Sequence, residues 1–368
     1  MTVCFLVADI NLCGGGERVA LNLAHALNVE FGMRTKVVSI QAIRYPLALD
    51  IPQGVELESL GVNLHGPSIF RKVVARFQAI HAARSWIQAN SGQVILGIGT
   101  FSSVVLSFVQ KSQICRIGCE HIWLQAPPWF WRVVRKFRYP HLDAVVTLTA
   151  QDQKRACRLN SVVKCIPNGR TFDDGRTADP HHKRILSIGR LDHQKGFDRL
   201  LASYACIKDR FPDWELVIIG EGPLKNALLD RIDQLGLRNQ VSLKNNTRDV
   251  ISEYLASSIF ALASRYEGLP MVLIEAQSLG LPAVSMDCPT GPRDIIIDSE
   301  TGFLIPQGNI QLFADRMASL MKDEELRRSM GQRAKSMSER FDQERICRQW
   351  IECFDELACL KDPAATHA

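Results

Sequence analysis

The sequence predicts an α/β protein built from two doubly wound parallel sheets. Three observations lead to this fold class. Short apolar runs without polar alternation recur along the chain, as in parallel strands that are buried on both faces. Helical patterns separate these runs, which is the order typical of doubly wound sheets. A polar, turn-rich segment at 171–183, TFDDGRTADPHHK, divides the runs into two sets and predicts a linker.

Nine apolar runs are the candidate strands. Five precede the polar segment and four follow it, at 3–9, 36–40, 94–99, 114–120, 144–150, 184–190, 215–222, 259–264 and 282–288. This predicts a first domain over 1–178 and a second over 179–340, with a charged helical tail at about 341–368 that packs back on the first domain. Ligands of such sheets bind at the carboxyl ends of the strands, so we expect the site in a cleft that the two domains face.

Composition and charge narrow the class of protein. The 368 residues are 46% hydrophobic and 23% charged, which is ordinary for a globular chain of two domains. A formal net charge of +5 permits an anionic substrate or lipid surface and does not require nucleic acid. The eleven cysteines include no Cys-x-x-Cys pair, so we interpret them as reduced, mostly buried thiols. We expect neither a signal peptide nor a membrane-spanning helix.

A glycine-rich segment, CGGGERVALNLAHAL, follows the first predicted strand and opens a helix. Gly15 and Gly16 would allow a phosphate-bearing ligand to approach the backbone at the helix start. Val19 occupies the place of the last glycine in the dinucleotide fingerprint, which argues against a nicotinamide or flavin oxidoreductase. A tight turn between strand and helix is the alternative interpretation.

Two cations flank the turn after the first strand of the second domain, in SIGRLDHQKGFDRLL. Arg190 can bind a phosphate through two parallel hydrogen bonds, and Lys195 can act as a point charge. The pair therefore suits a pyrophosphate, whereas the motif alone is equally typical of two solvated surface cations.

Two carboxylates lie in SRYEGLPMVLIEAQSLG at 264–280. The Gly-Leu-Pro that follows Glu267 predicts a loop, after which Glu275 lies inside a helix. The first amide groups of that helix, at Met271 and Val272, form an anion-binding start. The order suits a ligand with a phosphate in the middle and hydroxyl groups at both ends. Taken singly, either carboxylate could instead be a solvated or helix-capping charge.

Together these motifs resemble the retaining glycosyltransferases of family 4, which have two Rossmann-like domains in the GT-B arrangement. The resemblance runs over nearly the whole chain, and its most specific segments are GRLDHQKGFDRLL, IIGEGPL, SRYEGLPMVLIEAQSLGLP and TGFLIP. The segments ADINLCGGGERVALNLA and CPTGPRDII look more narrowly like bacterial enzymes of exopolysaccharide and O-antigen assembly, of the amylovoran galactosyltransferase type.

The resemblance implies roles for individual residues. Arg190 and Lys195 would stabilise the leaving diphosphate, Glu275 would bind the ribose, and Glu267 would bind the donor sugar near the reacting centre. His121, in CEHIW, matches the cleft histidine of the family and joins the catalytic group, although a histidine that merely caps a strand end is the alternative. The other donor contacts implied are Gly15, Gly16, Gly220, Asn246, Gly268, Leu269, Pro270, Met271 and Val272.

The implied activity is retaining transfer of a hexose from a nucleotide sugar, with a UDP-sugar favoured over a GDP-sugar, in bacterial surface polysaccharide biosynthesis. The implied acceptor is a lipid-linked saccharide. Because cations are available and no Asp-x-Asp motif occurs, we expect no cofactor and no metal. With a net charge of only +5, we also expect no nucleic acid partner. A soluble sugar-phosphate-type acceptor and a non-catalytic nucleotide-sugar-binding protein remain as alternatives. Asp294, where relatives commonly carry glutamate, departs from the family pattern.

A cluster of aromatic and basic side chains in APPWFWRVVRKFRYPH predicts the membrane or acceptor face. Its members are Trp129, Trp131, Arg132, Arg135 and Lys136. Aromatic rings with cations suit an anionic lipid surface, and a basic helical pattern at 71–87 is a second patch. We therefore expect a cytoplasmic protein that contacts the inner face of the cytoplasmic membrane. A helix packed by its aromatic residues, with solvated cations, is the alternative.

Overall fold

The computed structural model describes residues 1–361, except for 13, 48, 67, 91–92, 111–113 and 173–174. The chain forms two compact units. The first comprises Met1–Gly169 together with the chain from Gln343 onward, and the second comprises Arg170–Asp342.

The first unit contains a parallel sheet of seven strands. They are β1 (Thr2–Val7), β2 (Arg34–Gln41), β3 (Val55–Val62), β4 (Gln93–Ile98), β5 (Cys115–Glu120), β6 (Ala144–Thr147) and β7 (Val163–Cys165). They pair in the order β3-β2-β1-β4-β5-β6-β7. The helices are α1 (Gly15–Phe31), α2 (Ile69–Ala89), α3 (Gly99–Ser107), α4 (Trp129–Arg138), α5 (Ala150–Ala156) and the last helix, α13 (Gln343–Lys361).

Each face of this sheet carries its own hydrophobic core. Phe5 of β1 points into a core shared with α1 and α13, where it joins Leu27 and Trp350. Its chain neighbour Leu6 points into the opposite core, which includes Tyr139. Because successive side chains of a strand face opposite sides, burial on both faces makes every position of β1 after Thr2 apolar.

The second unit contains a parallel sheet of six strands. They are β8 (Arg184–Ile188), β9 (Glu215–Ile219), β10 (Val241–Lys244), β11 (Ile259–Leu262), β12 (Ala283–Asp287) and β13 (Gly302–Pro306), in the order β10-β9-β8-β11-β12-β13. The helices are α6 (Phe197–Ala205), α7 (Lys225–Gln234), α8 (Val250–Leu255), α9 (Met271–Ser278), α10 (Pro292–Ile295), α11 (Ile310–Lys322) and α12 (Glu324–Ser338). The order reverses direction at β8, which creates the crevice where doubly wound sheets bind ligands.

The predicted fold class of two doubly wound parallel sheets is confirmed, and each of the nine predicted runs contains a strand. The units divide after Gly169 rather than after residue 178. The backbone N–H of Arg170 donates to the Phe341 carbonyl at 2.7 Å, and that of Ala178 donates to the Leu279 carbonyl at 2.8 Å. These bonds attach the segment 170–178 to the second unit.

The last helix belongs to the first unit, where α13 packs against α1 through apolar side chains that include Ile346 and Phe354. Among the described residues, no helix combines the length and apolar character that a membrane span requires. The ten cysteines in the described part of the chain are all free thiols.

Candidate functional site

The loop after β8 carries both predicted phosphate-binding cations. Lys195 lies two residues before α6, and its Nζ is 2.7 Å from Oε1 of Glu267. Gly196 has a φ of 66°, and a Cβ there would lie 2.2 Å from the Ala263 carbonyl oxygen, so this position requires glycine. The loop is therefore held closely against the end of β11.

Arg190, in the same loop, is 72% exposed in its side chain. Its Nε donates to Oδ2 of Asp192 at 2.6 Å, which keeps the guanidinium beside the loop. Because the guanidinium itself is largely in solvent, an incoming phosphate can reach it.

Glu267 lies in the loop between β11 and α9, as predicted, and is nearly buried. Oε1 of its carboxylate accepts hydrogen bonds from Lys195 and from the Ser264 hydroxyl, the latter at 2.6 Å. Its backbone carbonyl accepts a hydrogen bond from the Thr290 hydroxyl at 2.6 Å. Two side chains thus fix the carboxylate, and a third fixes the backbone of the loop that carries it.

Glu275 lies inside α9, as predicted, and is also nearly buried. Its two carboxylate oxygens accept hydrogen bonds from Thr171 and Tyr254, each at 2.8 Å. Pro270 precedes the helix, so the amide groups of Met271 and Val272 point out of its first turn without acceptors inside the helix. Along the chain, Glu267 therefore precedes and Glu275 follows a helix start that favours an anion.

The Gly268–Leu269–Pro270 segment before α9 is packed against the loop after β12. A Cβ on Gly291 would lie 2.6 Å from the Gly268 carbonyl oxygen, and Gly291 has a φ of 97°. The side chain of Asp294 accepts a hydrogen bond from the Gly291 amide at 3.3 Å. Asp294, the residue that departs from the family pattern, therefore caps its own loop.

Gly220 and Asn246 follow the neighbouring strands β9 and β10. A Cβ on Gly220 would lie 1.9 Å from the Gly189 carbonyl oxygen, so this glycine permits the loops after β8 and β9 to touch. Asn246 is exposed, and its neighbour Asn245 accepts a hydrogen bond from Lys225 at 2.6 Å. The predicted cations, carboxylates and nucleotide-framing residues of the second unit all lie at the carboxyl edge of one sheet.

In the first unit, Gly15 and Gly16 open α1 at the carboxyl end of β1. Neither has a positive φ. Beyond its chain neighbours, a Cβ on Gly15 would have no described atom within 4 Å, and one on Gly16 would lie 3.6 Å from Ile98. The fold itself therefore does not require glycine at these two positions, and the space beside them is open to a ligand.

His121 follows β5, with its ring turned into the first unit. Both ring nitrogens are buried and have no hydrogen-bond partner among the described residues. The ring lines a cavity of about 20 Å³ together with Val19, Asn168, Gln343 and Trp350, which is room for one water molecule. Burial lowers the pKa of His121 to about 4, so the imidazole is neutral at pH 7.

The prediction that Arg135 lies on a membrane face is wrong. Arg135 is 2% exposed; its Nη1 lies 3.4 Å from Oε1 of Glu120, and its Nη2 donates to the Leu124 carbonyl. Glu120 also accepts hydrogen bonds from Thr100, at 2.9 Å, and from Tyr139. Burial raises the pKa of Glu120, an effect that the nearby Arg135 opposes.

The remaining members of the predicted membrane face divide between the two sides of α4. Trp131 is half-buried and packs edge-on against Phe101, with ring centroids 6.1 Å apart. Trp129, Arg132 and Lys136 are exposed. The helix therefore turns one side of the predicted cluster inward and leaves the other in solvent.

Comparison with known proteins identifies the family. Residues 170–337 match the family model described as glycosyl transferases group 1. The second unit is a glycosyl transferases group 1 domain. Amylovoran biosynthesis glycosyltransferase AmsD of Erwinia amylovora is 27% identical over 94% of this chain and 97% of that protein. A Campylobacter jejuni enzyme is 26% identical over 97% of this chain and 99% of that protein. It is named GalNAc-alpha-(1->4)-GalNAc-alpha-(1->3)-diNAcBac-PP-undecaprenol alpha-1,4-N-acetyl-D-galactosaminyltransferase.

Solved structures show the same fold. Sucrose-phosphate synthase from Thermosynechococcus elongatus has a TM-score of 0.82 at 16% identity, covering 98% of this chain and 100% of that one. Anabaena Alr3699/HepE in complex with UDP has a TM-score of 0.77 at 19% identity, covering 97% and 100%. The predicted GT-B fold and the resemblance to family 4 are confirmed: the family model matches the second unit, and the two relatives that span nearly the whole chain are named as glycosyltransferases.

The glycosyl transferases group 1 domain contains four residues beside the site that the sequence did not indicate. Asp192 and Ser264 lie within the motifs and hold Arg190 and Glu267. Thr171 and Tyr254 lie far from α9 in the sequence, and they hold Glu275. In the described part of the chain, no group of three or more His, Cys, Asp or Glu residues has the geometry of a metal site.

Proposed function

We propose that this protein is a glycosyltransferase, and specifically a retaining hexosyltransferase of bacterial surface polysaccharide biosynthesis. It would move a hexose from a nucleotide sugar to a lipid-linked saccharide. The observation that carries the proposal is that Lys195, Glu267, the start of α9 and Glu275 all follow two adjacent strands, β8 and β11, of one sheet. A cation, an anion-binding helix start and two nearly buried carboxylates match the diphosphate, sugar and ribose of such a donor.

The site supplies charge stabilisation and positioning. As the bond between C1 of the donor sugar and the diphosphate oxygen breaks, negative charge grows on the diphosphate beside Lys195, Arg190 and the α9 amides. The acceptor oxygen forms the new bond to C1 on the face from which the diphosphate leaves. The acceptor proton passes to the β-phosphate oxygen, and a nucleoside diphosphate is released. We propose that these protein cations replace an obligatory metal.

The comparisons favour a UDP-sugar and a lipid-linked acceptor. Anabaena HepE was solved with UDP. The Campylobacter jejuni relative is named for an undecaprenol-linked substrate, and AmsD for amylovoran biosynthesis. The structural likeness to sucrose-phosphate synthase supports the second candidate, a soluble sugar-phosphate-type acceptor. A non-catalytic nucleotide-sugar-binding protein is the third.

We propose peripheral contact of the first unit with the inner face of the cytoplasmic membrane. On α4, Trp129, Val133 and Phe137 are exposed beside Arg132 and Lys136. On α2, the exposed apolar side chains are Phe70, Val73, Val74 and Phe77. The guanidinium of Arg76 lies 6.0 Å from the Phe130 ring and 5.4 Å from the Trp131 ring, which places α2 beside α4. Apolar and basic groups on one surface suit an anionic bilayer.

A panel of UDP- and GDP-sugars tests the donor. A ligand at 100 times its dissociation constant should stabilise the protein by about 2.7 kcal/mol in a thermal-unfolding assay. The stabilising donor is then incubated with a polyprenyl-diphosphate-linked saccharide or with a hexose phosphate, with and without excess EDTA. We expect transfer to the lipid-linked acceptor, with the anomeric configuration of the donor retained and with no loss in EDTA.

The outcomes separate the candidates. Transfer to the hexose phosphate alone would establish the soluble-acceptor enzyme. Donor binding with neither transfer nor hydrolysis would favour the binding protein. Activity that EDTA removes and magnesium restores would overturn metal independence.

A further inference from the structure

Two hydroxyl groups from distant segments hold the carboxylate of Glu275. The Thr171 hydroxyl donates to Oε1 and the Tyr254 hydroxyl donates to Oε2, each over 2.8 Å. Tyr254 is fully buried in α8, whereas Thr171 lies two residues after the division between the units, within the second unit. The Tyr254 hydroxyl also lies 3.1 Å from the Val272 carbonyl oxygen, in the first turn of α9.

The carboxylate of Glu275 can accept further hydrogen bonds from a ligand. Each carboxylate oxygen has two lone pairs. Among the described residues one side-chain donor is recorded on each oxygen, which leaves one acceptor position on each. Two adjacent acceptor positions match two neighbouring hydroxyl groups of one ligand. The 2′- and 3′-hydroxyls of a ribose have this relationship.

The backbone at Thr171 is itself fixed. The preceding residue, Arg170, donates its backbone N–H to the Phe341 carbonyl at 2.7 Å. Its guanidinium is 2.8 Å from Oδ2 of Asp342. The Thr171 hydroxyl is therefore presented to Glu275 from an anchored segment, so less rotational freedom is lost when the bond forms.

We propose that Thr171 is a positioning residue for nucleotide recognition. It fixes the Glu275 carboxylate in the orientation that receives both ribose hydroxyls, and it thereby contributes to selection of a ribonucleotide donor over a deoxyribonucleotide. This proposal rests on the proposed function, in which Glu275 binds the ribose. Tyr254 fixes the second oxygen of the same carboxylate.

The test compares Thr171→Val, which removes the hydroxyl at nearly constant volume, with Thr171→Ser, which retains it. Thr177→Val is the matched control, because the Thr177 hydroxyl contacts Lys335 on the surface of the same unit. Isothermal titration of each purified full-length protein measures the dissociation constants of UDP and of 2′-deoxy-UDP. The GDP pair is used instead if GDP is the nucleotide that stabilises the unmodified protein.

The unmodified protein should prefer UDP over 2′-deoxy-UDP by about tenfold, on the scale of one charge-assisted hydrogen bond. Thr171→Val should weaken UDP binding by about fivefold while changing 2′-deoxy-UDP binding less than about twofold, since the hydroxyl that gains most from the oriented carboxylate is then absent. Thr171→Ser and Thr177→Val should resemble the unmodified protein.

If the ratio of the dissociation constants for UDP and 2′-deoxy-UDP is the same in Thr171→Val as in the unmodified protein, the proposal is overturned. Equal weakening of the binding of both nucleotides would then show a general structural role for Thr171. Circular dichroism and thermal unfolding establish that each variant is folded. If Thr171→Val does not fold, Tyr254→Phe gives the same readout from the other carboxylate oxygen. A protein that binds neither UDP nor GDP would overturn the nucleotide-sugar function itself, whereas UDP binding without a preference for ribose would overturn only the role of Glu275 and its partners.

Discussion

Lys195 and Glu267 are in direct contact, although the family resemblance implies that they bind different parts of the donor. The ammonium is proposed to face the diphosphate, and the carboxylate is proposed to face the sugar, yet the two groups are 2.7 Å apart and both are largely buried. Each charge lowers the cost of burying the other. A change in either residue therefore alters the electrostatics of both subsites.

Glu267→Gln should consequently separate binding from transfer. We expect turnover to fall by about a hundredfold, on the scale of losing one preorganised group, while UDP binds at least as tightly because Lys195 is released toward phosphate. Glu275→Gln should instead weaken UDP binding. Calorimetry and steady-state transfer assays measure both quantities, and the exposed Glu300→Gln serves as the control. Equal weakening of UDP binding by both changes would contradict this division.

The lowered pKa of His121 predicts a specific dependence of stability on pH. Its pKa is about 4 in the folded protein against 6.5 for a free histidine, so between these values the unfolded chain binds a proton that the folded chain does not. Stability is therefore lost as the pH falls through this window. From pH 7 to pH 5, the loss from this group is about 2 kcal/mol.

Urea denaturation of the unmodified protein and of His121→Gln, at pH 7 and pH 5, measures this contribution. The difference between the two proteins isolates His121 from the other titrating groups. If both lose the same stability on acidification, His121 is not buried as a neutral ring.

At the scale of the elements, the sequence revealed the central strands and missed the edges. The four strands absent from the nine predicted runs are β3, β7, β10 and β13, and each lies at an edge of its sheet. Edge strands are buried less completely; β3 reads Val-Glu-Leu-Glu-Ser-Leu-Gly-Val, in which polar residues alternate with apolar ones. An uninterrupted apolar run is the signal of a strand with neighbours on both sides, and it is weaker at an edge.

Helix α4 shows why a cluster of residue types does not define a face. The sequence places Arg132, Arg135 and Lys136 together, but a helix turns about 100° per residue, and Arg135 points inward with Trp131. The presence of a buried carboxylate partner, Glu120 on β5, depends on tertiary structure. The sequence around Arg135 contains no pattern that predicts this ion pair with Glu120.

Arg135→Gln should therefore destabilise the protein strongly. Removing one partner of a buried pair leaves Glu120 uncompensated, so we expect a loss of about 3 kcal/mol in the free energy of unfolding. Arg132→Gln, on the exposed side of the same helix, should change it by less than about 0.5 kcal/mol. Urea midpoints compare the two variants. Similar effects for both would mean that the Glu120 site does not rely on the Arg135 charge.

At the scale of the whole molecule, the charged residues of the candidate site lie at the carboxyl edge of the second sheet, where the sequence places them. Those residues stand in contiguous motifs, because the loop after each parallel strand reaches the same edge. The residues that orient them, such as Thr171 and Tyr254, come from segments about 100 and 20 residues away from Glu275. Contacts over such separations are products of the fold and leave no local pattern.

The surface formed by α2 and α4 predicts how the molecule meets a bilayer. Each exposed cation near an anionic surface contributes about 1 kcal/mol, which salt screens, whereas the apolar side chains contribute a term that salt does not weaken. The protein should therefore sediment with anionic vesicles at low salt and be released only in part at high salt. Arg135 is buried, and the guanidinium carbon of Arg138 lies 3.7 Å from the centre of the Phe108 ring. The informative variant therefore changes Arg132 and Lys136 alone.

Vesicle sedimentation compares two double variants with the unmodified protein, all checked for UDP binding. The double variant Arg132→Gln, Lys136→Gln should lose part of the salt-sensitive binding. We expect its affinity for the vesicles to fall by about tenfold, which corresponds to a contribution of about 1.4 kcal/mol from the two cations together. Trp129→Ala with Phe137→Ala should weaken the binding that persists at high salt, because these exposed rings supply apolar area to the interface. If the unmodified protein does not sediment with anionic vesicles even at low salt, the proposed membrane contact is overturned, and the soluble acceptor becomes the stronger candidate.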